Sequence, residues 1–263
     1  MNSISTTHQL KRHLGLDVAG SAEDERLTAA LVAATAQIER LAARWFMPRR
    51  ATIYHQVARA DRHHLTLKAD LLDLHSVTTP DGIALTSAIT RTEQGALHFD
   101  AAHPLSAHIA PDTVLAISAV WAWHPEPATA WRWSGDSVLD AMLWPGVPVI
   151  AVSSATASAP DGTTPRFQVG QLLRIGDEMM SLMGIMPGMG AGDGLLVGRG
   201  VNGTVSAAHT HDAQIERYQP PADIAQLALR WAAWLYQEPD QPALTPTPPA
   251  LLSALSPLRR LTA

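Results

Sequence analysis

Helical periodicity occurs in this chain only near its two ends, which limits the fold to a helical frame bracketing a middle of another kind. Near the start, Leu27, Leu31, Ala34, Ile38, Leu41 and Trp45 recur at steps of four and three residues, one apolar stripe on a 3.6-residue helix. Ser21, with Asp24 three residues on and Glu23 and Glu25 beside the positive helix end, predicts its start, and Pro48 its stop. Thr6 and Thr7 predict the cap of a shorter helix that runs to Leu14 and stops at Gly15. Near the other end, Ile224, Leu227, Ala228, Trp231, Trp234 and Leu235 form a second stripe, opened by Pro220-Pro221 and closed by Glu238-Pro239. A buried large side chain contributes ~1.5–3 kcal/mol, so each stripe fixes its helix only where another element covers it.

Between the ends the texture is β. Short apolar runs at Thr52–Val57, Leu65–Leu67, Ala96–Phe99, Val114–Trp123, Val147–Val152, Gln171–Ile175, Met179–Ile185 and Leu195–Val197 alternate with turn signals such as Pro80-Asp81-Gly82 and Pro160-Asp161-Gly162. Residues 121–146 hold five of the eight tryptophans and read as a long ordered excursion, and the Gly188–Gly194 run as a hairpin tip. The expected fold class is α+β. A small helical bundle forms from residues 1–50 and 220–238, an antiparallel β-rich domain is inserted over 51–219, and an extended C-terminal arm occupies 239–263. Pro239, Pro242, Pro246, Pro248 and Pro249 give that arm a polyproline character and a reach of roughly 40 Å. It ends in an apolar plug, Leu251, Leu252, Leu255 and Leu258 with Arg259 and Arg260, expected to dock on another protein. The competing reading folds the tail back on its own helices.

Composition narrows the chemistry. Charged residues make up 16% of the chain against a usual ~25%, while 46% are hydrophobic, so part of the surface is expected to be covered by a partner. A net charge of −5 gives no electrostatic trap for nucleic acid or acidic lipid. With no cysteine there is no disulfide framework, thiolate zinc site or Cys nucleophile. No apolar run approaches the ~20 residues that span a bilayer, and the polar N-terminus has no signal-like segment, so a soluble protein made inside the cell is expected. Of twelve histidines, His63-His64 and His209-Thr210-His211-Asp212 are the pairs that resemble metal ligands, but neither has helical i,i+4 spacing or an anchored third donor. Asp177-Glu178 reads as solvated turn charge, and Asn202-Gly203-Thr204 as a turn. No nucleophile elbow, P-loop or HExxH is present, so no catalytic, cofactor or metal site is expected and the chain does not read as an enzyme. Trp121, Trp123, Trp131 and Trp133, at period two, are expected in a β core or a subunit interface.

The segment HQLKRHLGLDVAGSAEDERLTAALVAATAQIERLAAR, with Glu23-Asp24 and Ile38-Glu39, resembles the opening of the head–tail connector (adaptor) proteins of tailed phages. PPADIAQLALRWAAWLYQ is similar to that family's closing helix, and ALLSALSPLRRL to its docking tail. Between them, FQVGQLLRIGDEMMSLMGI and LLVGRGVNGTVSAAH resemble a β module recurrent in phage virion proteins, Arg199-Gly200-Val201-Asn202-Gly203-Thr204 being the most specific stretch. VWAWHPEPATAWRWSGD also resembles larger members of the group. The resemblance implies a structural virion protein in the phage neck, assembled in the host cytoplasm. It would form a homo-oligomeric ring, usually dodecameric, under the portal protein, extend the DNA channel and meet the stopper or tail-completion protein. The role of residues ~52–219 carries over least, because minimal adaptors are little more than the helices. The alternatives are another tail or baseplate structural protein, or a carbohydrate-binding module using the tryptophans.

Overall fold

Thr6 caps the first helix, α1 (Thr7–Leu14), by a reciprocal capping box with Gln9, and Gly15 ends it in the left-handed region at φ 69°. The second, α2 (Asp24–Ala42), begins at Glu23 rather than at Ser21 and stops at Ala43, which adopts φ 51°. The stop falls short of the expected Pro48, so Trp45 lies past the helix. Described in the computed structural model are residues 3–58, 63–190, 192–237 and 248–260. The chain is α+β and divides into two compact units, one of Arg44–Pro127, the other of Met1–Ala43 with Ala128–Ala263.

The Arg44–Pro127 unit holds β1 (Arg49–Gln56), β2 (His64–Thr66), β3 (Leu71–Thr78), β4 (Ile89–Glu93), β5 (Ala96–Phe99) and β6 (Val114–Trp121). They pair into two antiparallel sheets ordered β1-β6-β3 and β2-β5-β4. Along β6, Leu115, Ile117, Ala119 and Trp121 alternate inward and join Leu65, Leu97 and Val77 in one core. Trp121 is fully buried there and donates its indole N–H to Ala51 O at 2.8 Å. Trp45, expected on the helical stripe, packs against this core instead.

The other unit continues with β7 (Trp131–Ser137), β8 (Met142–Leu143), β9 (Val149–Val152), β10 (Leu172–Ile175), β11 (Glu178–Met189), β12 (Gly192–Gly198), β13 (His209–Thr210), β14 (Gln214–Tyr218), α3 (Ala222–Gln237) and α4 (Pro249–Leu255). Six strands form one antiparallel sheet ordered β7-β14-β10-β11-β12-β9, and β8 pairs with β13. Ile150, Val152, Leu173, Ile175, Met180, Leu182, Leu195 and Val197 face inward at period two around Phe167. The sheet curls toward closure. Leu139, just past β7, donates its N–H to Ala151 O on β9, and the Asp136 carboxylate accepts from the Ser153 and Ser154 N–H groups beyond β9. Each bond blunts an edge that would otherwise offer free ladder groups.

The helices belong to this same unit. Trp231 on α3 is fully buried and donates to Gln37 on α2 at 2.8 Å, Ser5 Oγ donates to Ala225 O, and Thr6 Oγ1 meets Gln168, just before β10, at 2.7 Å. Leu27, Leu31, Ile38, Ile224, Leu227 and Trp231 are buried, whereas Leu41 and Leu235 are half-buried. Residues 51–219 are therefore divided differently from the single insert expected. The part up to Pro127 is a body of its own with residues from Arg44, and the part from Ala128 is one body with the helices.

Candidate functional site

The most specific sequence stretch, residues 199–204, folds around one buried carboxylate. Glu178 opens β11, and its side chain is fully shielded from solvent. Arg199 Nε and Nη2 donate to its two oxygens at 2.7 and 2.8 Å, Gly200 N–H to Oε1 at 2.9 Å and Ala207 N–H to Oε2 at 2.9 Å, while His209 Nε2 lies 2.8 Å from Oε2. Burial alone would raise the Glu178 pKa, but the hydrogen bonds from Arg199, Ala207 and His209 and the charge of Arg199 outweigh it and hold the carboxyl below its ordinary value.

Gly200, Asn202, Gly203 and Thr204 of the stretch each have a mechanical reason. Gly200 sits at φ +60°, and a Cβ there would come within 2.8 Å of Ser206 N, so only glycine fits. Asn202 and Gly203 take φ 54° and 82°, the left-handed steps of a tight turn. Thr204 Oγ1 accepts from Met179 N–H at 3.0 Å and donates to Val201 O at 2.8 Å. Glu178, read from sequence as solvated turn charge, is the centre of this clasp; its burial follows from partners 21 to 31 residues away. The donors and acceptors are turned on one another, an arrangement that holds backbone.

What the clasp holds is an exposed apolar surface. Arg199 Nη1 also donates to the carbonyls of Trp144 and Val147, and Gly146 N–H donates to Ser206 Oγ, which ties loop 144–147 to loop 205–207. On these loops Trp144 is 61% and Val205 81% exposed, with Val147 also open to solvent. Met142 and Trp144 point outward on either side of Leu143, which enters the core around Phe167. These apolar groups are held open to solvent by hydrogen bonds to the backbone of their own loops. Sequence reading placed Met142 and Trp144 in the tryptophan-rich excursion, Val147 at the head of an apolar run and Val205 in the recognised stretch, and gave none of them an exposed position.

The C-terminal residues lie elsewhere. Leu251 and Leu255 are buried where α4 packs on α2 and α3, Leu252 and Leu258 are half-buried, Arg259 is exposed, and Arg260 N–H donates to Ala42 O at 2.8 Å. An outward-facing leucine plug is thus corrected to a helix folded back on its own bundle, because its amphipathic stripe finds a matching apolar face there. Most of the polyproline run, residues 238–247, falls outside the described residues. Beside α4 an open groove of about 450 Å³ is lined by His13, Leu14, Arg230, Trp234, Gln237 and Leu251, among others.

Among the described residues, no group of three or more His, Asp or Glu side chains is placed so that it could hold a metal ion, and no helix is long and apolar enough to cross a membrane. His209, one of the metal-like histidines of the sequence, is used by Glu178, and His211 Nδ1 lies 3.1 Å from Leu139 O. No protein-family model matches the chain, and no curated protein matches it significantly.

Proposed function

We propose that this chain is a head–tail adaptor of a tailed phage, a non-enzymatic structural subunit that assembles as a ring beneath the portal, extends the DNA channel and carries the stopper or tail-completion protein. The observation that carries the reading is the packing of α1 and α2, from the start of the chain, with α3, from its end, into one bundle, the frame that the adaptor resemblance implies. The exposed Trp144, Val147 and Val205 surface supports it further, since ring subunits need apolar lateral faces and this one is held rigid by Arg199 and Glu178. The low charge content and net charge of −5 suit a channel wall past which DNA must slide without sticking. In this reading α4 closes the bundle, and contact with the portal is made through its exposed flank at Arg259 and the neighbouring Leu252 and Leu258 rather than through Leu251 and Leu255.

The test is co-sedimentation with portal rings of the same phage. The parent chain pellets with the rings, and Leu252→Glu combined with Arg259→Glu remains in the supernatant while keeping the parent circular dichroism spectrum. Equal pelleting of the two proteins would overturn the docking surface. Failure of the parent to bind would overturn the adaptor reading and favour another tail or baseplate structural role, for which the six-stranded antiparallel sheet speaks.

A further inference from the structure

We infer that the outer edge of β1 is an interaction surface for β1 of a second copy of this chain. The first observation is where its backbone points. β1 pairs with β6 over its whole length, Arg49 to Gln56, without a bulge. The bond from Val57 N–H to Thr113 O continues this ladder and makes the odd-numbered residues those bonded to β6. The N–H and C=O groups of the even-numbered residues therefore turn to the outer edge. Among the described residues, those of Thr52, Tyr54 and Gln56 meet no partner there.

Other edges of the molecule are blunted. At the opposite side of the same sheet, β3 carries two register shifts, and its Val77 is closed off by Leu85 N–H on its carbonyl at 2.8 Å and Thr86 Oγ1 on its N–H at 3.2 Å. β4 is bulged, and β2 has only three residues. β1 is long, regular and open, the form of edge that recruits another strand. Its outward-facing Thr52, Tyr54 and Gln56 are uncharged, and Tyr54 is 69% exposed.

The second observation, the residues along that edge, selects the occupant. An antiparallel pairing centred on Ile53 sets Thr52 opposite Tyr54 of the second copy, Gln56 opposite Arg50, and the half-buried Ile53 against its own equivalent. Sliding the register by two residues toward the start of the strand would face Gln56 with Pro48, which has no N–H to give. Charge fixes the direction. Antiparallel strands hold the two Arg49-Arg50 pairs about 20 Å apart, beyond the screening length of about 8 Å, whereas parallel strands would set four arginines side by side. Such a contact is two-fold and closes on two copies. It uses none of the residues assigned to the portal or to the ring, so it stands apart from the adaptor reading.

The experiment places single cysteines in the full chain, which has none of its own. Ile53 and its equivalent form a non-hydrogen-bonded pair across the seam, with Cα atoms about 4.5 Å apart, within the span of a disulfide. Tyr54 stands diagonal to its equivalent at about 7–8 Å, outside that span. Under mild oxidant Ile53→Cys therefore links two chains several-fold faster than Tyr54→Cys, although position 54 is the more exposed. In sedimentation velocity, Tyr54→Lys, which puts a charge on the edge, halves the mass of the parent species and keeps its circular dichroism spectrum. Linking at position 54 as fast as at position 53, or equal masses for the parent and Tyr54→Lys, would each overturn the pairing.

Discussion

Replacing Arg199 by Ala removes the guanidinium that neutralises Glu178 and ties loop 144–147 to the six-stranded sheet. Breaking a buried ion pair from one side costs about 3–5 kcal/mol, because the remaining charge is stranded. Two features place this case at the lower end. Glu178 keeps His209 and the Gly200 and Ala207 N–H groups, and the bonds from Arg199 to the Trp144, Val147 and Ala207 carbonyls lie at the surface, where water replaces them. A loss of about 3 kcal/mol corresponds to a fall in Tm of about 6–12 °C for a chain of this size. Thermal unfolding followed by tryptophan fluorescence reads it, and hydrogen exchange reads the local consequence, faster exchange at residues 144–147 and 205–207. The double variant with Glu178→Ala loses less than the two single losses combined, since each single change already breaks the pair. A Tm within about 2 °C of the parent, or strictly additive losses, would refute the clasp as the element that holds these loops.

Acid follows from the same carboxylate. Glu178 ionises below its ordinary 4.5, so its contribution is fully present above that pH and is lost as pH falls through the lower folded value, and denaturant midpoints measured between pH 6 and 3 decline in that window. Leu255→Ala costs about 2–5 kcal/mol because the side chain is fully buried where α4 packs on α2 and α3, while Leu252→Ala, half-buried, costs clearly less; equal losses in urea titrations would contradict the fold-back of the tail. Ala43→Gly stabilises by roughly 0.5 kcal/mol, since a left-handed alanine is strained by about 1–2 kcal/mol and glycine returns part of that as unfolded-state entropy. A higher Tm reports it, and a lower one would refute the strain at that cap.

How far the sequence reaches depends on whether a signal is local. The Thr6 cap and Gly15 stop, the stripes of α2 and α3 and several strands, such as Ala96–Phe99, were legible because capping chemistry and periodicity act within a few residues. The end of α2 was not, because Ala43 carries no breaker signal and the apolar spacing runs on to Trp45. Strand β7 was hidden among tryptophans whose outward member, Trp133, disguises the alternation, and β14 had no turn signal to announce it. The tail could not be placed because an apolar stripe reads the same whether its cover is its own bundle or a foreign protein. The division at Arg44 and Ala128 was not legible because Pro48 reads as a helix stop and Pro125 and Pro127 lie inside the tryptophan-rich excursion, so neither announces a boundary between bodies. Glu178 and Arg199 belonged to a recognised stretch, yet their burial depends on chain returning from residues 207 and 209.

Electron microscopy of the full chain mixed with portal rings of its own phage tests the adaptor assignment most directly. The account predicts an added ring of density, coaxial with the portal and continuing its channel, lost when Leu252 and Arg259 are both changed to Glu. Bare portal rings beside dispersed monomers, at concentrations where the parent chain is folded, would contradict it.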